Sequence, residues 1–372
     1  MQTQYQIGLH RDDGARIKTL DRFFELSWTR TLNNFGAFHI DLPRSFDSSI
    51  IKNDQRVSIW RKPPNGAMYR EFYGMIRIPE TSGIQRLHSI SGYDFNYLLY
   101  AHQTEYTAGS SQEAISAVAA DDAMKAIVRN EMGASATARF PGDTGGTVRA
   151  LNSTYFTVEA NTTLGPAITR QYAWRRVLDV LRDLADDARQ AGTDIYFDMD
   201  HVDDNQVIFR TYKDQRGADR RSTSSNPIIF GVDFGNLADP QLIRDATDEV
   251  NAALAMGSGT QDTRNLTEVV DTNATLDLWS RTESTVNAPM DSTAAALTSA
   301  ANAELINRRI KQTFNAKLIN VGNTIYGRDY NFGDRVTVTY DGAQYEAMIR
   351  GITCTVANGL EQITPILETY VI

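Results

Sequence analysis

Residues 330–367, YNFGDRVTVTYDGAQYEAMIRGITCTVANGLEQITPIL, constrain this chain more than any other stretch. Val336 and Val338 alternate with Arg335, Thr337 and Thr339, the period-two pattern of a half-buried strand. Asp341-Gly342 then supplies a two-residue turn, because glycine tolerates the positive φ that a tight hairpin requires. The chain returns over 344–352, turns at Asn358-Gly359 and runs out over 360–367. Three consecutive strands are predicted, with Phe332-Gly333-Asp334 as the turn that starts the first. The stretch carries a shape and no plausible chemistry.

The first hundred residues predict strands as well. Tyr5, Ile7 and Leu9 alternate with Gln6, Gly8 and His10, and Asp12-Asp13-Gly14 turns the chain into 15–20. Residues 24–31 form a third strand with Phe24, Leu26 and Trp28 on one face, and 37–42 a fourth. Val57, Ile59 and Trp60 start a fifth, Pro63-Pro64-Asn65-Gly66 breaks it, 68–78 returns, and 87–91 closes the set. Short strands at this spacing point to a barrel or sandwich. Residues 93–100 then read as helical.

Beyond 104 the character changes. Residues 111–132 predict a helix, with Ser111 as N-cap, an apolar stripe at Ile115, Val118, Met124 and Ile127, and Gly133 ending it. Residues 142–164 form a long loop of low hydrophobicity, rich in Thr and Asn. Trp174, Val177, Leu178, Leu181 and Leu184 predict a second helix over 171–190, capped by Gly192. A hairpin over 195–199 and 206–212 and a polar, arginine-containing loop over 213–226 follow. Strands return over 241–247, 251–258 and 265–270, then an alanine-rich helix over 294–314 and a strand over 316–321. The predicted class is α+β, mainly β, with residues 1–103 a first β-barrel domain, 104–239 an inserted α+β domain, and 240–372 a second barrel with one helix.

The 372 residues leave room for two to three domains at roughly 150 residues each. A net charge of −9 argues against a dedicated nucleic-acid binder, which carries a basic face. The single cysteine, Cys354, excludes an intrachain disulfide; in the strand-like run 352–356 it is expected to be a small buried hydrophobe, and it fits assembly in a reducing cytoplasm. Met1-Gln2-Thr3-Gln4-Tyr5 lacks the basic and apolar regions of a secretory leader. No apolar run approaches the ~20 residues of a membrane span. The expectation is a protein that stays in its cell of synthesis or leaves by lysis or within a particle.

No catalytic or cofactor motif is present. Gly257-Ser258-Gly259 is too short for a phosphate-binding loop and reads as a turn. The histidines at 10, 39, 88, 102 and 201 are scattered, and His39 and His88 read as structural strand residues. Asp198-Met199-Asp200 with Asp203-Asp204-Asn205 is the best metal candidate, since clustered carboxylates suit calcium; the glycine and closing glutamate of a calcium loop are missing, and a solvated hairpin tip is the simpler reading. Asp186-Asp187, Arg175-Arg176 and Arg220-Arg221 read as solvated pairs. The expected site list is therefore empty: no catalytic, cofactor-binding or metal residues, and no cofactor.

The order of elements resembles the tail hub (baseplate hub, tail tip) proteins of long-tailed bacteriophages. The resemblance lies in residues 5–38 (strand, Asp-Asp-Gly, strand, Leu26 to Phe38), in Phe72-Tyr73-Gly74-Met75-Ile76 followed by Ser89-Ile90-Ser91-Gly92-Tyr93-Asp94, and in residues 252–259, the alanine-rich helix and the Gly333-Asp334 end. It implies two tube-type β-barrel domains per chain flanking the inserted α+β domain. It further implies a non-enzymatic virion protein that closes a homotrimeric ring at the distal tail tip. Such a ring adapts a sixfold tube to a threefold tip and lines the DNA ejection conduit without binding DNA specifically. Implied partners are the tail tube or distal tail protein above, a fibre, spike or tip protein below, and the tape measure protein. Assembly would take place in the host cytoplasm, with no membrane span. The rival readings are a receptor- or carbohydrate-binding tail protein, for which 142–164 is the first place to look, and a tail-associated peptidase or cell-wall hydrolase.

Overall fold

The computed structural model describes residues 3–20, 22–82, 87–104, 113–136, 149–203, 205–271, 279–287 and 293–370. The first block of strands is β1 (Gln4–His10), β2 (Arg16–Leu20), β3 (Glu25–Thr31), β4 (Ala37–Pro43), β5 (Arg56–Lys62), β6 (Tyr69–Ser82) and β7 (Leu87–Asp94), followed by helix α1 (Tyr97–Ala101). The middle of the chain gives β8 (Glu113–Ala119), α2 (Ala120–Glu131), β9 (Phe156–Val158), β10 (Ala167–Tyr172), α3 (Val177–Gln190), β11 (Ile195–His201), β12 (Val207–Lys213), β13 (Asp219–Arg220) and β14 (Ile229–Gly231). The last third gives β15 (Leu237–Asp245), β16 (Ala252–Met256), β17 (Leu266–Val270), β18 (Glu283–Asn287), α4 (Ala294–Asn307), β19 (Lys311–Leu318), β20 (Arg335–Tyr340), β21 (Ala343–Ala357) and β22 (Leu360–Tyr370). The mainly β, α+β class holds.

The expected C-terminal hairpins form as written. Asp341 and Gly342 have φ of 50° and 73°, and Asn358 and Gly359 have 53° and 76°, the paired positive values of the turn that matches strand twist. Gly333, at φ 90°, starts β20.

What the sequence does not show is where these strands go. One 14-stranded sheet runs β15-β19-β22-β21-β3-β4-β7-β6-β5-β1-β2, with β20 on β21 and with β13 and β14 on β20. The joint is β21, which is 15 residues long. Its first half pairs with β20, from Ala343 opposite Tyr340 to Met348 opposite Arg335. Its second half pairs with β3, from Gly351 opposite Thr31 to Ala357 opposite Glu25. Strands from both ends of the chain therefore share a sheet. Among the described residues no sheet closes on itself, so the expected pair of tube-type barrels is replaced by one open, strongly curled sheet.

The curl is held from inside. Arg61 on β5 and Glu361 on β22 are separated by five strands in the sheet order, yet their side chains meet. Arg61 has no exposed surface; its Nε and Nη2 donate to Glu361 Oε1 and Oε2 at 2.7 and 2.8 Å, and its Nη1 donates to the Tyr326 carbonyl at 2.6 Å. Glu361 also accepts from the Tyr5 hydroxyl, from Asn320 Nδ2 at 3.0 Å and from Thr3 Oγ1 at 3.3 Å. Nearby, the Tyr326 hydroxyl donates to buried Glu71 at 2.6 Å, and Tyr5 packs edge-on against Trp28 at 5.8 Å. Cys354 lies here, fully buried, and burial pushes its thiol up, as expected of a packing residue.

Contacts group residues 1–240 with 315–372 as one compact unit and 241–314 as another. The expected division into 1–103, 104–239 and 240–372 follows composition along the chain and differs from this grouping. In the first unit, α2 and α3 pack with β9, β11 and β12 around Met124, Ile127, Val128, Leu178, Leu181, Leu184, Phe197 and Phe209. The second unit, by itself, is a three-stranded sheet in the order β17-β16-β18 with α4 on one face, where Leu297, Ala301 and Leu305 meet Val250, Ala253 and Ala255. The strand β18 has no counterpart in the sequence-based prediction.

Both middle helices start later than their apolar spacing predicts. Residues 113–119 pair antiparallel with 167–172 instead, and Ser111 lies outside the described residues. A residue in the left-handed region lies three positions before each helix, Ala117 at φ 53° within β8 and Trp174 at φ 55°. Trp174 is held there by buried Thr104, which accepts its N–H at 2.9 Å and donates its own N–H to the Arg175 carbonyl at 2.6 Å. The tryptophan, expected on the buried stripe, is 57% exposed. Phe24, expected beside Leu26 and Trp28, is also exposed. At the far end of α3, Gly192 caps as predicted, at φ 84°. The alanine-rich helix ends at Asn307, earlier than expected, because 311–318 join the large sheet as β19.

The buried ion pair predicts a specific mutational pattern. Arg61→Met leaves Glu361 buried without its counter-charge and lowers unfolding free energy by about 3–5 kcal/mol, whereas Arg61→Met with Glu361→Leu recovers most of that loss. Urea unfolding of the two variants and the wild type measures both values.

Candidate functional site

The acidic hairpin singled out by the sequence is placed by two asparagine side chains. Asn33, in the β3–β4 turn at φ 57°, accepts the Phe197 N–H at 2.8 Å. Asn96 accepts the Met199 N–H at 2.8 Å and donates to Asp198 Oδ1 at 2.7 Å. Both amides thus clip β11 to the first block of strands, as a neighbouring strand would. Asp94 shapes the same corner, accepting from the N–H groups of Gly36 and Asn96. Burial pushes its carboxyl up, and the nearby Asp198 adds to the effect.

The hairpin's buried carboxylates are engaged by arginines. Asp198 is nearly buried and takes Arg216 Nε at 3.0 Å and Arg30 Nη2 at 3.3 Å. Asp200 takes Arg216 Nη2 and the Tyr212 hydroxyl. Burial pushes the Asp200 carboxyl up, but Arg216, Tyr212 and Arg30 outweigh it and hold the group below the usual carboxylate range. Asp203 is exposed and accepts the Asn205 and Gln206 N–H groups, each at 2.7 Å, which makes it a turn-forming hairpin tip. Asp204 lies outside the described residues. Among the described residues no group of three His, Cys, Asp or Glu side chains is placed to hold a metal ion.

These residues border a cleft of about 350 Å³. Four guanidinium groups line it, those of Arg30, Arg70, Arg210 and Arg216, against two carboxylates, Glu71 and Asp200. The C-terminal motif forms part of the wall: Arg30 and Arg216 both stack on the Phe332 ring, at 4.5 and 5.2 Å. His201 lines the cleft as well. Burial, together with Arg70, Arg30 and Arg216 and against Asp200, pushes its imidazole down to about 3. It is neutral at physiological pH and supplies no charge.

The other sequence candidates have structural partners. His10 is bonded to Ser58 Oγ at 2.8 Å and the Gly14 carbonyl at 3.0 Å, and His39 to Ser91 Oγ at 2.8 Å. Asp187, read with Asp186 as a solvated pair, binds Arg170 at 2.6 Å, and Asp183 binds it at 2.7 Å, which fastens β10 to α3. Arg176 stacks on Tyr100 at 3.7 Å, and Arg221 binds Glu346 at 2.7 Å. Of the Thr/Asn-rich loop, 142–148 lie outside the described residues. The far end is fastened to the start of α2: Asp121 accepts the Leu164 and Gly165 N–H groups at 2.9 and 3.0 Å, and Asp122 accepts those of Thr162 and Thr163 at 2.9 and 3.2 Å. The arginine cleft itself escapes sequence reading, since its members sit on β3, β6, β11, β12 and the loop after it. Arginines at 30, 70, 210 and 216 carry no shared spacing.

Two measurements check this geometry. The unfolded chain protonates His201 near 6.5 and the folded chain near 3, so stability present above 6.5 is lost as pH falls toward 3, at up to about 1.4 kcal/mol per pH unit for one proton. His201→Gln therefore unfolds with a shallower acid dependence than wild type in urea titrations from about pH 7 to about pH 4. Millimolar calcium leaves the thermal midpoint of the wild type unchanged, because the candidate carboxylates are already neutralised by arginine.

The family model for siphovirus ReqiPepy6 Gp37-like proteins matches residues 7–367. Among solved structures, the fold is similar to the 43 kDa tail protein of prophage MuSo2 from Shewanella oneidensis, with a TM-score of 0.62 and 12% identity over 98% of each chain. It is similar to the tail protein from Neisseria meningitidis MC58, with a TM-score of 0.62 and 14% identity over 99% of this chain and 97% of that one. It is also similar to prophage tail protein gp18 from Listeria monocytogenes EGD-e, with a TM-score of 0.53 and 10% identity over 98% and 94%. No curated protein matches the chain. The match from residue 7 to residue 367, with a fold shared by phage tail proteins along the same length, makes this chain a member of the siphovirus ReqiPepy6 Gp37-like protein family.

Proposed function

We propose that this chain is a structural protein of a phage tail and acts as its tail-tip, or baseplate, hub. The observation that carries the reading is the likeness of fold to phage tail proteins over 98% of both chains, joined to family membership from residue 7 to residue 367. In this reading three copies close a ring at the distal end of the tail tube. The β-rich regions 1–103 and 240–372 form the ring wall and 104–239 stands as the inserted part. The ring meets a sixfold tube or distal tail protein above and a fibre, spike or tip protein below, beside the tape measure protein. DNA passes through its lumen, where an acidic chain, −9 overall, suits passage without adhesion. A ring also covers sheet edges that would otherwise be exposed to solvent.

The role is mechanical and not catalytic, which accords with carboxylates and histidines that serve hydrogen bonds and ion pairs inside the fold. Two measurements decide it. Electron microscopy of the isolated protein is expected to show threefold particles, and immunogold labelling of intact virions to mark the distal tail tip. Label on the capsid, or a cytosolic pool with unlabelled virions, overturns the proposal.

A further inference from the structure

We propose that the arginine-lined cleft is a binding site for a carboxylate group. The carboxylate would come from an acidic side chain or chain terminus of a protein partner, or from a free dicarboxylate. The inference starts at Arg210 on β12. Among the described residues its guanidinium donates no hydrogen bond, and its Nε is shielded from solvent. The nearest carboxylate oxygen, Asp200 Oδ2, is 4.0 Å away, and Asp200 is already engaged by Arg216 and Tyr212. The Arg210 side chain is 41% exposed, so its Nη groups stand open to a ligand from solvent while its shielded Nε lacks an acceptor.

The surroundings fit an anion. Four guanidinium groups line the cleft against Glu71 and Asp200, with Asp198 behind Arg30 and Arg216, so the local charge is still positive within a chain of net −9. Tyr326 and Phe332 give the cleft aromatic walls. Its volume, about 350 Å³, lies at the small end of ligand sites, ~300–1,000 Å³, and admits a compact group, not a length of nucleic acid. A guanidinium fork also matches a planar carboxylate with two parallel hydrogen bonds.

Calorimetric titration of the full chain at constant ionic strength tests this, with four probes: glutarate, a capped glutamate-rich pentapeptide, inorganic phosphate and a single-stranded oligonucleotide. Saturable binding of glutarate or the pentapeptide is expected, weakened about tenfold by Arg210→Met and less by Arg210→Lys, which keeps charge but loses the fork. Arg11→Met, at an exposed arginine outside the cleft lining, leaves the affinity unchanged. A pentapeptide that binds more tightly than glutarate assigns the site to a protein partner; glutarate alone assigns it to a free dicarboxylate. The proposal is overturned if neither carboxylate probe binds, if phosphate or the oligonucleotide binds as tightly, or if Arg210→Met binds like the wild type. Circular dichroism of each variant, matching the wild type, shows that a lost signal is not a lost fold.

Discussion

A guanidinium group with no exposed surface must find its counter-charge inside the protein, and Arg61 finds it on Glu361, with five strands of the same sheet between them. The pairing fixes the curvature of the β layer. A flat sheet would hold β5 and β22 far apart; only a curled one lets both oxygens of Glu361 receive Arg61. Burial pushes the Glu361 carboxyl up to about 7, offset only in part by the Thr3 hydroxyl, while Arg61, Tyr5 and Asn320 supply further donors to its oxygens. Such a pair contributes little net stability compared with an apolar substitute, and much to selecting one geometry. A wrong register would strand a buried charge.

The same logic recurs at the cleft. Asp198 and Asp200 are costly to bury, and Arg30 and Arg216 arrive from distant parts of the chain to offset them. Phe332 lies under both guanidiniums, so the turn that starts β20 also supports the arginines. Asp334, two residues on, accepts the Ala218 and Asn331 N–H groups at 2.7 and 2.8 Å and fastens the loop that carries Arg216. Shape and charge are thus set by one short segment.

The sequence made some of this legible and hid the rest for identifiable reasons. The last two hairpins could be read because Asp341-Gly342 and Asn358-Gly359 encode their turns locally. The strand-rich first block and the hairpin of β11 and β12 were legible from alternation. The starts of α2 and α3 were not, because Ala117 and Trp174 break them with a positive φ that neither residue type announces. The joint between β3 and the second half of β21 has no local signal, as its partners are more than 300 residues apart. At the cleft, the acidic cluster was visible and its meaning was not: Arg30 lies 168 residues before the Asp198 it binds. The solvated-tip reading fits Asp203, while Asp198 and Asp200 take counter-ions that their own segment does not contain.

The 15-residue strand that serves both halves of the large sheet has an evolutionary corollary. Replacing residues 1–103 by recombination would remove β3 and strip the outer half of β21 of a partner, so the two ends of the gene must be inherited together. Residues 246–310, between the large-sheet strands β15 and β19, are under no such bond. The chain leaves for them along β15 and returns along β19, which are neighbours in the sheet, and the segment has a core of its own. Exchange of that segment would leave the joint between β3 and β21 intact, whereas exchange of either end of the chain would not.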